Sequence, residues 1–174
     1  MFAELNTRKV EVLKPFFNNP ELETSIRGLS RLSDTSTSWT SEIITELEEK
    51  NFLKTESTKT SKKITTGKKF KQLKKTYNLD TIESSGLAKH LEEELRPDAI
   101  VLFGSYSRGE DNKDSDIDIA VINGRNKDLD LEKFEEELGR KINIQNLESA
   151  DEGDENFRNS LANGTVLRGF LKVV

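Results

Sequence analysis

Asp116 and Asp118 stand two residues apart at the head of the run "SDIDIAVI". If this run is a strand, its side chains alternate with period two. Asp116, Asp118 and Ala120 then share one face, and Ile117, Ile119 and Val121 share the other; with a helix over the isoleucines, both carboxylates project on the open face. Two carboxylates held this close repel, and one pKa rises unless a cation lies between them. Mg2+ takes oxygen ligands of this kind and bridges readily to nucleotide phosphates. An edge strand turning polar residues to water explains Asp-x-Asp equally simply, and for that pair alone it is the better explanation. Upstream, Gly104-Ser105 ends the apolar stretch Ala99–Phe103. Backbone N–H groups at such a turn, together with the Ser105 hydroxyl, can donate to phosphate oxygens. Gly-Ser after a strand is also ordinary loop chemistry. It is not a Walker loop, because no Gly-Lys-Ser/Thr follows.

The conjunction is more specific than its parts. From Gly104 to Val121 the chain reads GSYSRGEDNKDSDIDIAV, with Gly104-Ser105, Arg108-Gly109, Ser115-Asp116 and Asp118 in fixed register. This resembles the GSxxRGxxxxxSDxDxxV signature of the polymerase beta-like nucleotidyltransferase superfamily. More narrowly, it is similar to the small prokaryotic minimal nucleotidyltransferases. The resemblance spans residues 87–148. It implies that Gly104 and Ser105 hold the β- and γ-phosphates of a nucleoside triphosphate, ATP being the expected one. Arg108 would support that loop or neutralise phosphate charge. Asp116 and Asp118 would bind Mg2+, and Ser115, in the nucleotide-binding set, would fix the turn into the strand. An acceptor hydroxyl would then receive a nucleoside monophosphate.

The family supplies a third carboxylate from a following strand. Here "KFEEELGRKINIQNL" reads as a helix carrying Phe134 and Leu138, a Gly139-Arg140 stop, and a strand. With Ile142 and Ile144 facing the core, Lys141, Asn143 and Gln145 share the other face. Asn143 stands where the aspartate is expected. An amide oxygen coordinates a metal weakly and cannot accept a proton as a general base. Asp128, Asp130 and Glu148 are the nearest acids, and none has the required register.

The elements that must position these residues follow from pattern. "AIVLF" has the length and composition of a buried strand. "GLAKHLEEELR" carries Leu87, Leu91 and Leu95 on one helical face and stops before Pro97. His90, the single histidine, falls off that stripe and receives no role. The stretch Leu79–Leu87 reads as a linker. The tail "FRNSLANGTVLRGFLKVV" is not accounted for by the resemblance.

The N-terminal half has a different character. Val10, Leu13, Phe16 and Phe17 have helical spacing, with Pro15 inside the pattern as a kink or an early stop. A second helix carries Ile26, Leu29 and Leu32. A third starts among Ser36–Ser41 and buries Ile43, Ile44 and Leu47. Phe52-Leu53 and Ile64 then bracket a polar, lysine-rich tip that fits two short strands. Helix, helix, helix and basic hairpin is the order of a winged helix-turn-helix. Its third helix presents serine and threonine where a recognition helix meets the major groove. Trp39 there reads as a packing residue. Between residues 54 and 75 nine lysines face a single acid, Glu56. Such a cluster binds a phosphate backbone through counterion release, although lysines also simply solvate surfaces.

Charge divides the chain in the same way. Residues 1–78 carry 15 Lys/Arg against 10 Asp/Glu, and residues 79–174 carry 12 against 22. A hydrophobic fraction of 33% leaves room only for small cores. With no cysteine, disulfides and thiolate metal sites are excluded. No apolar run approaches the roughly 18 residues that span a bilayer, and the N-terminus lacks a signal-peptide core. The expectation is therefore an α+β protein in the cytoplasm. Residues 1–80 form a winged helix-turn-helix, and residues 81–174 form a minimal nucleotidyltransferase α/β domain with a small mixed sheet. Its expected function is Mg2+-dependent nucleotidyl transfer to a protein or RNA hydroxyl, with duplex DNA bound through the 36–75 region. The resemblance also suggests a toxin–antitoxin setting, with a partner protein as acceptor, and the winged helix suggests a homodimer. The alternative is a catalytically degenerate, nucleotide-sensing DNA-binding regulator or antitoxin.

Overall fold

The computed structural model describes residues 7–57 and 62–172. It divides into two compact units, Met1–Thr76 and Tyr77–Val174.

In the first unit, α1 (Thr7–Asn18) is followed by β1 (Thr24–Ser25), α2 (Ile26–Leu32) and α3 (Thr37–Glu49). The strands β2 (Leu53–Ser57) and β3 (Lys62–Thr66) then form an antiparallel hairpin, and β1 pairs with the far side of β3. The sheet order is β1-β3-β2. Pro15 lies within α1 and does not end it. One missing N–H bond is outweighed by Val12, Leu13, Phe16 and Phe17, which are buried on both sides of the proline. Ser25 and Ser36 cap α2 and α3 by accepting from the Gly28 and Trp39 amides. The expected start of the third helix is thus located at Ser36. Ile43, Ile44 and Leu47 are buried as expected, whereas Leu32, expected on an apolar face, is 58% exposed at the end of α2. That helix has only seven residues, and its packing is carried by Leu29. Of the nine lysines, Lys59 falls outside the described residues and Lys74 is fully buried. Lys54 and Lys63 are ion-paired to Glu56 and Glu23 at 2.6 Å each.

The unit boundary falls within α4 (Phe70–Ser85). The stretch from Leu79, expected as a linker, is helical to Ser85 because Ile82 is a fully buried core residue. Gly86, in the left-handed region at φ 76°, separates α4 from α5 (Leu87–Leu95). There follow β4 (Ala99–Phe103), α6 (Gly104–Arg108), β5 (Ile117–Ile122), α7 (Glu132–Leu138), β6 (Ile142–Leu147), α8 (Glu155–Ala162) and β7 (Thr165–Gly169). The strand order is β6-β5-β4-β7. β5 runs antiparallel to β4 and parallel to β6, with α7 as the crossover that a parallel pair requires. This is the small mixed sheet expected from the sequence. The unassigned tail supplies α8 and β7, and β7 pairs antiparallel with β4.

Both faces of the sheet are covered. Ile100, Leu102, Ile117, Ile119 and Val121 pack with Leu87, Leu91 and Leu95 of α5 and with Phe134 of α7. Val101, Phe103, Ala120 and Ile122 pack with Leu161 and Phe157 of α8. β4 is therefore buried at all five positions, which is why it is continuously apolar rather than alternating. His90 is half-buried rather than solvent-facing, its ring 5.1 Å from that of Phe134. Among the described residues no helix is long and apolar enough to cross a membrane.

Candidate functional site

The site forms where β4 ends beside the start of β5. Phe103, the last residue of β4, pairs with Asp118, and Asp118 on its other side pairs with Asn143 of β6. Asp118 thus occupies a central strand with neighbours on both sides. The Asn143 amide nitrogen donates to Asp118 Oδ1 at 3.2 Å. Ile142 and Ile144 pack against the core on the opposite face, so the register read from alternation brings Asn143 beside Asp118.

Gly104 makes the turn from β4 into α6 with φ 72°. A Cβ built on it would lie 2.4 Å from Asp118 Oδ2. The turn therefore needs glycine twice over, for its left-handed backbone and for the close approach of the carboxylate. No side chain caps the first turn of α6, where Ser105 stands half-buried. Gly109 (φ 69°) ends the helix, and Glu110 N donates to Ser105 O at 3.0 Å. The Arg108 side chain pairs with Glu110 at 2.7 Å, on the surface of the same turn.

Asp116 sits differently from its expected place. It precedes β5, whose ladder begins at Ile117 opposite Ile142. The strand that was to begin at Asp116 thus begins one residue later, with Asp116 immediately before it. Nor is the Asp118 face open along its length, because Ala120 and Ile122 are buried beneath α8. Phe157 of α8 meets Phe103 edge-to-face at 5.4 Å.

The loop leading to Asp116 is built from side chains. Asn112 N donates to Ser115 Oγ at 3.0 Å, and Asp114 N donates to Asn112 Oδ1 at 2.9 Å. Ser115 thus ties the turn together. Asp111, fully buried, pairs with the Arg140 guanidinium at 3.0 Å, the arginine side chain being 8% exposed. The Asn78 amide donates to Asp111 Oδ1 at 2.7 Å and to Tyr106 O at 2.9 Å. Arg140 also donates to the Ser115 carbonyl at 3.1 Å and to the Asn112 carbonyl, and lies over the Tyr106 ring at 5.4 Å. Burial drives the Tyr106 phenol well above its ordinary pKa, partly opposed by Arg140. Asn78, Asp111 and Arg140 were not singled out from sequence. The only available signal was a lone arginine after Gly139, which reads as a helix stop.

Lys141, expected only as a face-mate of Asn143, holds a raised pKa. The Glu135 carboxylate at 2.6 Å is the main cause, and Asp116 contributes. Asp116 therefore lies within the field of a surface ammonium. Glu135 is correspondingly lowered, first by Lys141 and then by the Ile142 amide.

Beside the Asp118 carboxylate stands the Asn143 amide, and Asp116 lies two residues earlier in the chain. Among the described residues no group of three or more His, Cys, Asp or Glu side chains is placed to hold a metal ion. Oxygen donors of this kind suit a hard cation that takes its remaining ligands from water and phosphate.

Comparison with curated proteins and with solved structures gave no match. Residues 86–167 match the family model described as Polymerase beta, Nucleotidyltransferase. The matched segment contains Gly104, Asp116 and Asp118, and the match supports a similarity of this segment to the nucleotidyltransferases.

Proposed function

We propose that the protein transfers a nucleoside monophosphate from a nucleoside triphosphate, ATP being the expected donor, to a hydroxyl of a protein or RNA, the α–β phosphoanhydride bond breaking and pyrophosphate leaving. The observation that carries this reading is the approach of Gly104 to Asp118, which puts a backbone turn and a carboxylate side by side. At that turn Ser105 would donate its hydroxyl to the β- or γ-phosphate, and Arg108 would lend positive charge at its edge. Asp116 and Asp118 would hold Mg2+, which would supply positive charge to the phosphates. Asn143 orients Asp118 through its amide N–H. It cannot take the acceptor's proton, so the acceptor must lose that proton to water or to a group of its own.

The Asn143–Asp118 bond also favours a second reading, a nucleotide-sensing regulator or antitoxin with little turnover. The N-terminal domain (1–80) supports a DNA-binding role in either case. Its order of helices and strands resembles that of a winged helix-turn-helix, and Arg27, Thr37, Ser41, Glu42, Thr45 and Lys62 line one groove among α2, α3 and β3. Duplex DNA through the 36–75 region, a homodimer, and a partner protein as acceptor in a toxin–antitoxin pair belong to this proposal.

Labelled ATP, Mg2+ and protein or RNA acceptors test the first reading. Wild type is expected to transfer label slowly, and Asp116→Ala and Asp118→Ala to lose transfer. Asn143→Asp is expected to gain about 10²–10⁴-fold, the usual contribution of a general base. Transfer by Asn143→Asp alone would replace the enzyme by the sensor.

DNA binding has its own measurement. The affinity for duplex DNA should fall steeply with salt, and Lys62→Ala should reduce the log–log slope by about 1, the loss of one phosphate contact. A salt-independent affinity would remove the lysine-rich hairpin from the interface.

A further inference from the structure

We propose that Arg140 is a positioning residue that fixes Asp116 by clamping the 110–116 loop. As far as nucleotide binding is concerned, this rests on the function proposed above. The clamp itself is a matter of the loop alone.

The loop lies between α6 and β5 and belongs to no sheet ladder. One guanidinium grips it at three places: the Asp111 carboxylate, the Asn112 carbonyl and the Ser115 carbonyl. The next residue, Lys141, immediately before β6, completes the hold, because Ile117 N donates to Lys141 O at 2.8 Å. Asp116 is the one residue between a carbonyl held by the Arg140 side chain and an amide held by the Lys141 backbone. Its backbone is thus fixed on both sides, although Asp116 itself is exposed and outside the strand.

The chemistry of the clamp selects arginine. A planar fork with five donors can meet a carboxylate and two carbonyls together, whereas an ammonium on a flexible stem is a compact point charge. The pair is also seated firmly: Tyr106 lies against the guanidinium, and Asn78 holds the second Asp111 oxygen. Arg140, in the turn before β6, and Asn143, at its start, are three residues apart, so this one segment places both carboxylates of the site, Asp116 through the loop and Asp118 through the amide.

The test uses the full chain with Mn2+ and ATP as probes. Arg140→Lys keeps the charge and is expected to weaken Mn·ATP binding, read by electron paramagnetic resonance, by about 10–100-fold, the usual cost of losing a supporting contact behind a metal ligand. Amides of residues 112–117 should exchange faster, while those of β4 and the rest of β5 keep their protection. In Arg140→Ala, added guanidinium should restore both loop protection and Mn·ATP affinity, and urea at the same concentration should not. Unchanged loop exchange in Arg140→Lys would overturn the proposal. So would equal acceleration throughout β4 and β5, which would mark Arg140 as a purely structural residue. If wild type fails to bind Mn·ATP while the loop still loosens in Arg140→Lys, the nucleotide reading falls and the clamp stands.

Discussion

Gly104→Ala is expected to cost Mn·ATP binding far more than it costs stability. Alanine in the left-handed region carries a penalty of about 1–2 kcal/mol, which shifts the melting temperature of a domain this size by roughly 4–16 °C. The new Cβ would also stand 2.4 Å from Asp118 Oδ2 and 3.2 Å from its Cγ. The carboxylate can escape only by turning, which takes it away from both Asn143 and the turn above it. Gly139→Ala is the control, since Gly139 has φ 63° with nothing within 4 Å of its Cβ position. Both variants should melt earlier by similar amounts, and only Gly104→Ala should lose Mn·ATP affinity, by more than about tenfold as for other disturbed metal ligands. Equal affinities in the two variants would remove Gly104 from the site.

The second large effect concerns the buried pair. Asp111→Ala leaves the Arg140 cation, 8% exposed, without its carboxylate. Removing one partner of such a pair costs about 3–5 kcal/mol, read here from the opening free energy of β4 and β5 amides by hydrogen exchange. Replacing both charges by apolar groups is often neutral, so Asp111→Ala combined with Arg140→Met should recover most of that stability. The double variant should still show a loose 112–117 loop and weak Mn·ATP binding. Recovery of stability without recovery of binding separates what the pair does for the fold from what it does for Asp116. A double variant as unstable as Asp111→Ala would mean that the carboxylate matters through Asn78 rather than through Arg140.

The legible parts of the site are those that short-range pattern dictates. β4 could be read to the residue because a strand buried on both faces leaves five apolar residues between Pro97-Asp98 and Gly104. Asn143 could be placed beside Asp118 because Ile142 and Ile144 fix the parity of β6. Asp116 was misplaced by one residue, since alternation says which side chains share a face but not where the ladder starts. That limit is set by Arg140 and Lys141, which are distant in sequence. The Asp111–Arg140 pair was invisible for the same reason: each residue alone looks like surface charge, and only the fold brings them together away from water. The helical continuation through Leu79–Ser85 was hidden by Asp80, Glu83 and the two serines, and only the burial of Ile82 explains it. β7, as long as β4, was hidden by its mixed composition, with Thr165, Arg168 and Gly169 among its five residues.

The position of β7 bears on how the domain survives its own synthesis. β4 is the most apolar strand of the sheet, and until β7 pairs with it one of its edges offers free amides and carbonyls along Ala-Ile-Val-Leu-Phe. Such an edge is a template for pairing with another chain. The covering strand emerges from the ribosome only after β5, α7, β6 and α8. Arg168 then fastens it to Glu83 of α4 through two bonds of 2.8 and 2.7 Å. A chain cut before Thr165 would retain every residue of the proposed nucleotide site and still be prone to aggregate.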